Sequence, residues 1–213
     1  MISNIVTILT EVVKENNPES SQRAASVLRE GGIIIYPTET LYGIGALALN
    51  EESVKRIFNI KERFYGKPIP ILVKDREMLS RFVEVTEKAS QLIDKFLPGP
   101  LTLVLRQKEN LPDPISVGTG KVAVRISSHP FVRRLFTFIS EPLTSTSANV
   151  SGEENLFNFD EIYGTFSGKV DLIVDSGSLP PSKGSTVIDL TAKPPRIVRE
   201  GDIRRDMLNV SDE

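Results

Sequence analysis

The sequence predicts an α/β fold in which a mixed sheet of parallel and antiparallel strands is flanked by helices. Two features of segment order predict it. Helix-like and strand-like runs alternate early in the chain, and strand-like runs then cluster late. A third is composition: 39% of the 213 residues are hydrophobic, enough for a real core, and 25% are charged, an ordinary soluble surface.

The first element is a helix. Ser20 to Glu30 carries Ala24, Ala25, Val27 and Leu28 on one side and stops at Gly31-Gly32, the pattern of an amphipathic helix with a glycine end. It feeds a buried strand, Gly32 to Ile35. Beyond Tyr36 to Gly45 an apolar run resumes from Ile44 to Leu49. Asn50 suits the N-cap of a second helix, with Glu51 and Glu52 in its first turn and Lys61-Glu62-Arg63 at its far end. Pro70 to Val73 reads as a strand, Thr86 to Leu97 as a helix ended by Pro98-Gly99-Pro100, and Leu101 to Arg106 as another strand. Val122 to Ile126 is a strand, His129 to Ile139 a helix, and Pro142 to Thr144 a short strand feeding the loop Ser145 to Gly152. Leu172 to Val174, Thr186 to Leu190 and Ile197 to Arg199 are the late strands. With no repeat and no composition shift, one domain is expected over 1–206, followed by a short unstructured tail from Met207.

The net charge of −2 argues against a protein whose main business is coating nucleic acid. Zero cysteines exclude disulfides, thiolate nucleophiles and cysteine-held metals. No signal-peptide pattern and no apolar span of membrane length is visible, so the expectation is a cytoplasmic chain without membrane contact. Gly118-Thr119-Gly120-Lys121 resembles a dinucleotide fingerprint, but Val122 to Ile126 reads as a strand where that motif needs a helix. His129 is the only histidine, which disfavours a Ser-His-Asp triad. No His, Asp or Glu cluster has metal-ligand spacing.

The remaining candidates are hydroxyls and cations. Tyr36-Pro-Thr-Glu-Thr-Leu-Tyr-Gly-Ile-Gly45 puts polar groups between two apolar segments, either a turn or a ligand site. Lys61 and Arg63 are either a solvated pair at a helix end or part of a local field. From Lys55 to Arg81 eight cations face three anions, and such an excess would attract a polyphosphate or an RNA backbone. Thr144 to Gly152 is rich in hydroxyls and amides that could cap a turn or present an anion-binding nest. Arg125, inside a strand-like run, is on the solvent face or pairs with a bound carboxylate, and Arg199 poses the same choice.

Taken together and in this order, these strings resemble the YrdC-like threonylcarbamoyl-AMP synthases from about Ser20 to Ile203. The matching strings are Tyr36 to Gly45, Lys61-x-Arg63, Pro98-Gly-Pro-Leu-Thr-Leu-Val-Leu105, Val122-Ala-Val-Arg-Ile126 with His129-Pro130, Ser147-Ala-Asn-Val-Ser-Gly152, Ser185-Thr-Val-Ile-Asp189 and Val198-Arg-Glu-Gly201. The resemblance implies a twisted sheet of the YrdC/RibB type with a large, positively lined concave cavity. It implies condensation of L-threonine, bicarbonate and ATP to threonylcarbamoyl-AMP and pyrophosphate, with Mg²⁺ carried on the ATP. A separate transferase would then move the group to a transfer-RNA adenosine, with direct RNA contact a further expectation. Carried over by motif, Lys61 and Arg63 are the catalytic pair, and with Ser147, Asn149 and Arg199 they form the ATP set. Thr38, Thr40, Tyr42, Arg125 and Ser185 form the threonine set. Phe64 stands where many relatives have proline and Lys74 where some have histidine. A non-catalytic RNA-binding module using the same basic concavity is the rival reading.

Overall fold

A computed structural model describes residues 8–108 and 111–208. Eleven strands lie in two sheets among these residues, both mixed in direction. The first sheet orders Glu11–Lys14 (β1), Leu172–Asp175 (β9), Ile34–Tyr36 (β2), Gly43–Gly45 (β3) and Thr146–Ser147 (β8). β1 and β2 flank β9 in parallel, and β2, β3 and β8 continue antiparallel. The second orders Arg196–Arg199 (β11), Thr186–Asp189 (β10), Leu101–Arg106 (β5), Lys121–Arg125 (β6), Ile71–Leu72 (β4) and Leu143–Thr144 (β7). The expected mixture of directions is therefore present, divided between two sheets that meet where β7 runs into β8 with only Ser145 between them.

The predicted helices form for the anticipated reasons. Ser20–Arg29 (α1) buries Ala24, Ala25, Val27 and Leu28. Glu51–Ile60 (α2) is capped by the Asn50 side chain, which accepts from Ser53 N, and Glu87–Phe96 (α4) by Thr86, which accepts from Ala89 N. Pro130–Leu135 (α6) is shorter than expected. Its chain turns off after Leu135, where the Thr137 hydroxyl and amide both bond Arg134 O in place of continuing the helical ladder. Sequence patterns did not reveal β1, β3 and β8 as strands. Nor did they reveal the helices Arg76–Phe82 (α3), Asp113–Ser116 (α5) and Phe159–Phe166 (α7).

The core is continuous: Ile33, Ile34, Ile35, Tyr36, Ile44, Leu103, Val124, Phe131 and Ile173 are all fully buried. Tyr36 lies across β3, and glycine there makes this possible. A Cβ on Gly43 would stand 2.9 Å from the Tyr36 ring, and one on Gly45 would stand 2.8 Å from both that ring and Thr144 O. The stretch Gly118 to Gly120 turns directly into β6, as the rejection of a dinucleotide motif required. Of the tail expected from Met207, Met207 closes a 3-10 turn and Leu208 is buried; 209–213 lie outside the described residues. No described helix is long and apolar enough to cross a membrane.

Candidate active site

The junction of the two sheets encloses a cavity of about 200 Å³. Its walls come from Thr38, Thr40, Tyr42 and Gly43 around β3, Ser145 to Ser147 at the sheet-to-sheet crossing, and Thr102, Arg125, Ser185, Val187 and Arg199 from the second sheet. Arg63 reaches in from beyond α2. Eight of the ten residues singled out from sequence thus line one space: Thr38, Thr40, Tyr42, Arg63, Arg125, Ser147, Ser185 and Arg199. Lys61 and Asn149 lie outside the lining.

Arg63 owes its direction to the end of α2. Lys61 is the C-cap, and Glu62 takes the left-handed backbone conformation at φ 51°, so that Arg63 N returns to Phe58 O at 2.8 Å. A non-glycine residue is strained there. The reversal aims the Arg63 side chain at the segment beyond, where Nη2 donates to Pro68 O at 2.7 Å and Nε to Lys67 O at 3.1 Å.

Lys61 is not a solvated helix-end cation, because only 1% of it is exposed. Its ammonium donates to Ser147 O, to Asn149 O and, at 3.5 Å, to Asn149 Oδ1. Burial first, and the nearby Arg63 charge second, push Lys61 down to about 7. Asn149 in turn donates to Val150 O and Glu153 O, while Ser147 Oγ donates to Asn149 Oδ1 at 2.5 Å. Lys61 and Asn149 therefore hold the 147–153 loop in shape behind the cavity wall.

Thr38 and Thr40 form a hydroxyl turn. Thr38 Oγ1 donates to Leu41 O at 2.6 Å and accepts from the amides of Thr40 and Leu41. Arg125, 6% exposed, donates from Nη1 to Thr40 Oγ1 and from Nε to Gly99 O, both at 3.1 Å. Its Nη2 lies 2.8 Å from Glu39 Oε1 in an ion pair that departs from hydrogen-bond alignment. Glu39 is thereby placed: it also accepts from Ser127 Oγ and, at 3.0 Å, from Ser128 N. Burial pushes its carboxyl up, but the Arg125 charge and these donors outweigh that and hold it below the usual carboxylate range.

Tyr42 contributes a ring rather than a free hydroxyl, since its OH donates to Gly177 O at 2.9 Å and accepts from Ser176 N. Burial pushes this phenol up to about 12. Arg199 donates twice to Ser185 O and once to Ser185 Oγ, which shares a 2.8 Å bond with Thr102 Oγ1. Ser145 and Thr146 belong to the hydroxyl-rich stretch Thr144 to Gly152, whereas Thr102 is a lining residue that the sequence reading does not nominate. The available signal was Thr102 as the one hydroxyl in the run Leu101 to Leu105.

Among the described residues no carboxylate pairs with Lys61, Arg63 or Arg199, whose partners are all neutral oxygens. Elsewhere the cation excess of Lys55 to Arg81 is partly cancelled: Lys55 pairs with Glu51 and Glu52, Arg56 with Asp171, and Arg76 with Asp94. His129 is a helix cap, its Nδ1 accepting from Phe131 N.

The Sua5/YciO/YrdC family model, described as "Telomere recombination", matches residues 26–201. A Methanocaldococcus jannaschii protein that bears the name threonylcarbamoyl-AMP synthase provisionally is 40% identical over 193 residues, 89% of this chain and 91% of that one. The Pyrococcus abyssi threonylcarbamoyl-AMP synthase is 39% identical over 197 residues, 92% of this chain but only 58% of its own length. Among solved structures, P. abyssi Sua5 complexed with L-threonine has a TM-score of 0.86 and 36% identity, over 94% of this chain and 59% of that one. E. coli YciO has a TM-score of 0.83 and 28% identity, over 92% and 97%. On the span of the family match and the identity to these relatives, the chain belongs to the Sua5/YciO/YrdC family.

Proposed function

We propose that this protein is an L-threonylcarbamoyladenylate synthase, condensing L-threonine, bicarbonate and ATP to threonylcarbamoyl-AMP and pyrophosphate. The observation that carries the reading is a hydroxyl-lined cavity containing Arg63 and Arg199 with only neutral partners, a site suited to an anionic ligand. The relatives named for this activity supply its chemical identity.

The chemistry needs no protein nucleophile. The threonine amine attacks bicarbonate or the CO₂ derived from it, forming a carbamate with loss of water or a proton. A carbamate oxygen then attacks the α-phosphorus of ATP and pyrophosphate leaves. Positioning and charge stabilisation carry such steps. Arg63 and Arg199 offset phosphate charge, and Ser147 orients the phosphates through its hydroxyl. Arg125, Thr38 and Thr40 hold the amino acid, with the Tyr42 ring as wall and Ser185 completing the pocket. Lys61 and Asn149 lie behind the wall and would reach the phosphates only by exchanging their bonds within the 147–153 loop for bonds to the ligand. Mg²⁺ carried in on ATP would supply further charge neutralisation, and the hydroxyls of Ser145 to Ser147 would offer it oxygens of the class it accepts. The product passes to a transferase acting on transfer RNA in the cytoplasm.

The test is incubation with ATP, bicarbonate and each amino acid in turn. Pyrophosphate release and an adenylated product with threonine alone are expected; release independent of the amino acid, or none, would sink the reading.

A further inference from the structure

Glu39 does not line the cavity, yet its carboxylate sets the charge on one side of it. It is partly buried, with 16% of its side chain exposed, and is held from three directions by Arg125, Ser127 and Ser128. Arg125 does line the cavity and is the one lining cation with a carboxylate partner among the described residues. The geometry assigns Glu39 the task of polarising the cavity. By cancelling Arg125 it keeps the Thr38–Thr40 side neutral, so that a zwitterionic amino acid settles there and a polyphosphate is confined to Arg63 and Arg199.

Glu39 is thus a positioning residue that excludes the wrong anion rather than a group that contacts substrate. Without its charge, Arg125 becomes a third cation with neutral partners only, and one cavity offers two places for phosphate. The inference rests on the reading of the site as one for an amino acid and a nucleoside triphosphate.

The test compares wild type with Glu39→Gln, Glu39→Asp and Ser127→Ala, using pyrophosphate as the probe. Calorimetric titration is expected to give one pyrophosphate site in wild type and two in Glu39→Gln. In steady-state assays pyrophosphate is expected to compete with ATP but not with threonine in wild type. In Glu39→Gln it should compete with both, raising the apparent KM for threonine about tenfold or more, the scale of one displaced charge-assisted contact. Glu39→Asp keeps the charge and should restore the wild-type pattern. Ser127→Ala loosens the same anchor without removing charge and should keep that pattern too.

If Ser127→Ala reproduced the double competition, anchoring rather than charge would be responsible and the inference would be overturned. Two pyrophosphate sites in wild type, or threonine displaced by pyrophosphate there, would overturn it whether or not Glu39→Gln folds. A wild type with one pyrophosphate site but no threonine-dependent turnover would refute the enzymatic reading and leave the Glu39 comparison to be decided by titration.

Discussion

On the Arg125 side of the cavity a guanidinium faces a carboxylate at 2.8 Å and a threonine hydroxyl at 3.1 Å. On the Arg63 and Arg199 side, guanidinium groups of the same chemistry meet only backbone carbonyls and a serine. The first arrangement is internally neutral. The second leaves positive charge partly desolvated: burial holds both Arg63 and Arg199 below the ordinary arginine value, and at Arg199 the Arg125 charge adds to this. A cation in that position gains most from an anion supplied by a ligand, whereas Arg125 has already been given one. Residue type therefore does not distinguish the two sides; the partner does.

Removing the cation from the uncompensated side should have the largest effect. Arg63→Ala is expected to lower threonine-dependent pyrophosphate release by about 10²–10³-fold, the scale of one lost transition-state donor. The KM for threonine should hardly change, and an equal rise in that KM would erase the distinction between the sides. Arg199→Gln should raise the KM for ATP by about tenfold with a smaller loss of turnover, read from initial rates, because its fork is shared with Ser185.

Lys61 offers a sharper test through protons. Its value of about 7 in the folded protein lies below the ordinary lysine value, so the unfolded chain binds the proton more tightly between them. Stability is expected to rise with pH from about 7 towards the ordinary lysine value, and this gain is lost as pH falls back to 7. Nucleotide binding should restore the charge. Calorimetry in buffers of different ionisation enthalpy should therefore show proton uptake above pH 7 that fades below it and disappears in Lys61→Met. The smallest effect concerns backbone alone: Glu62→Gly relieves a left-handed residue and should stabilise the fold by about 0.5–1 kcal/mol in urea titration.

Much of the fold was legible because its signals are local. Asn50 and Thr86 cap the helices they announce, and Leu101 to Arg106 is a strand throughout. β8 was not legible, since two residues, Thr146 and Ser147, pair only because β3 lies beside them. The cavity-lining hydroxyls could be nominated from their clustering. The burial of Lys61 could not, because a lysine at a helix end ordinarily reaches water and only the 147–153 loop removes it. The same holds for Glu39, whose three partners are contributed by the distant residues 125–128.

The single residue Ser145 between β7 and β8 has a consequence for how this protein tolerates change in length. Side chains alternate faces along a strand, so one inserted residue there would turn Thr146 and Ser147 over and present Ser147 to the opposite face. The crossing is therefore a fixed spacer, and variation in chain length is better absorbed at 154–155, exposed residues that lie outside any strand or helix.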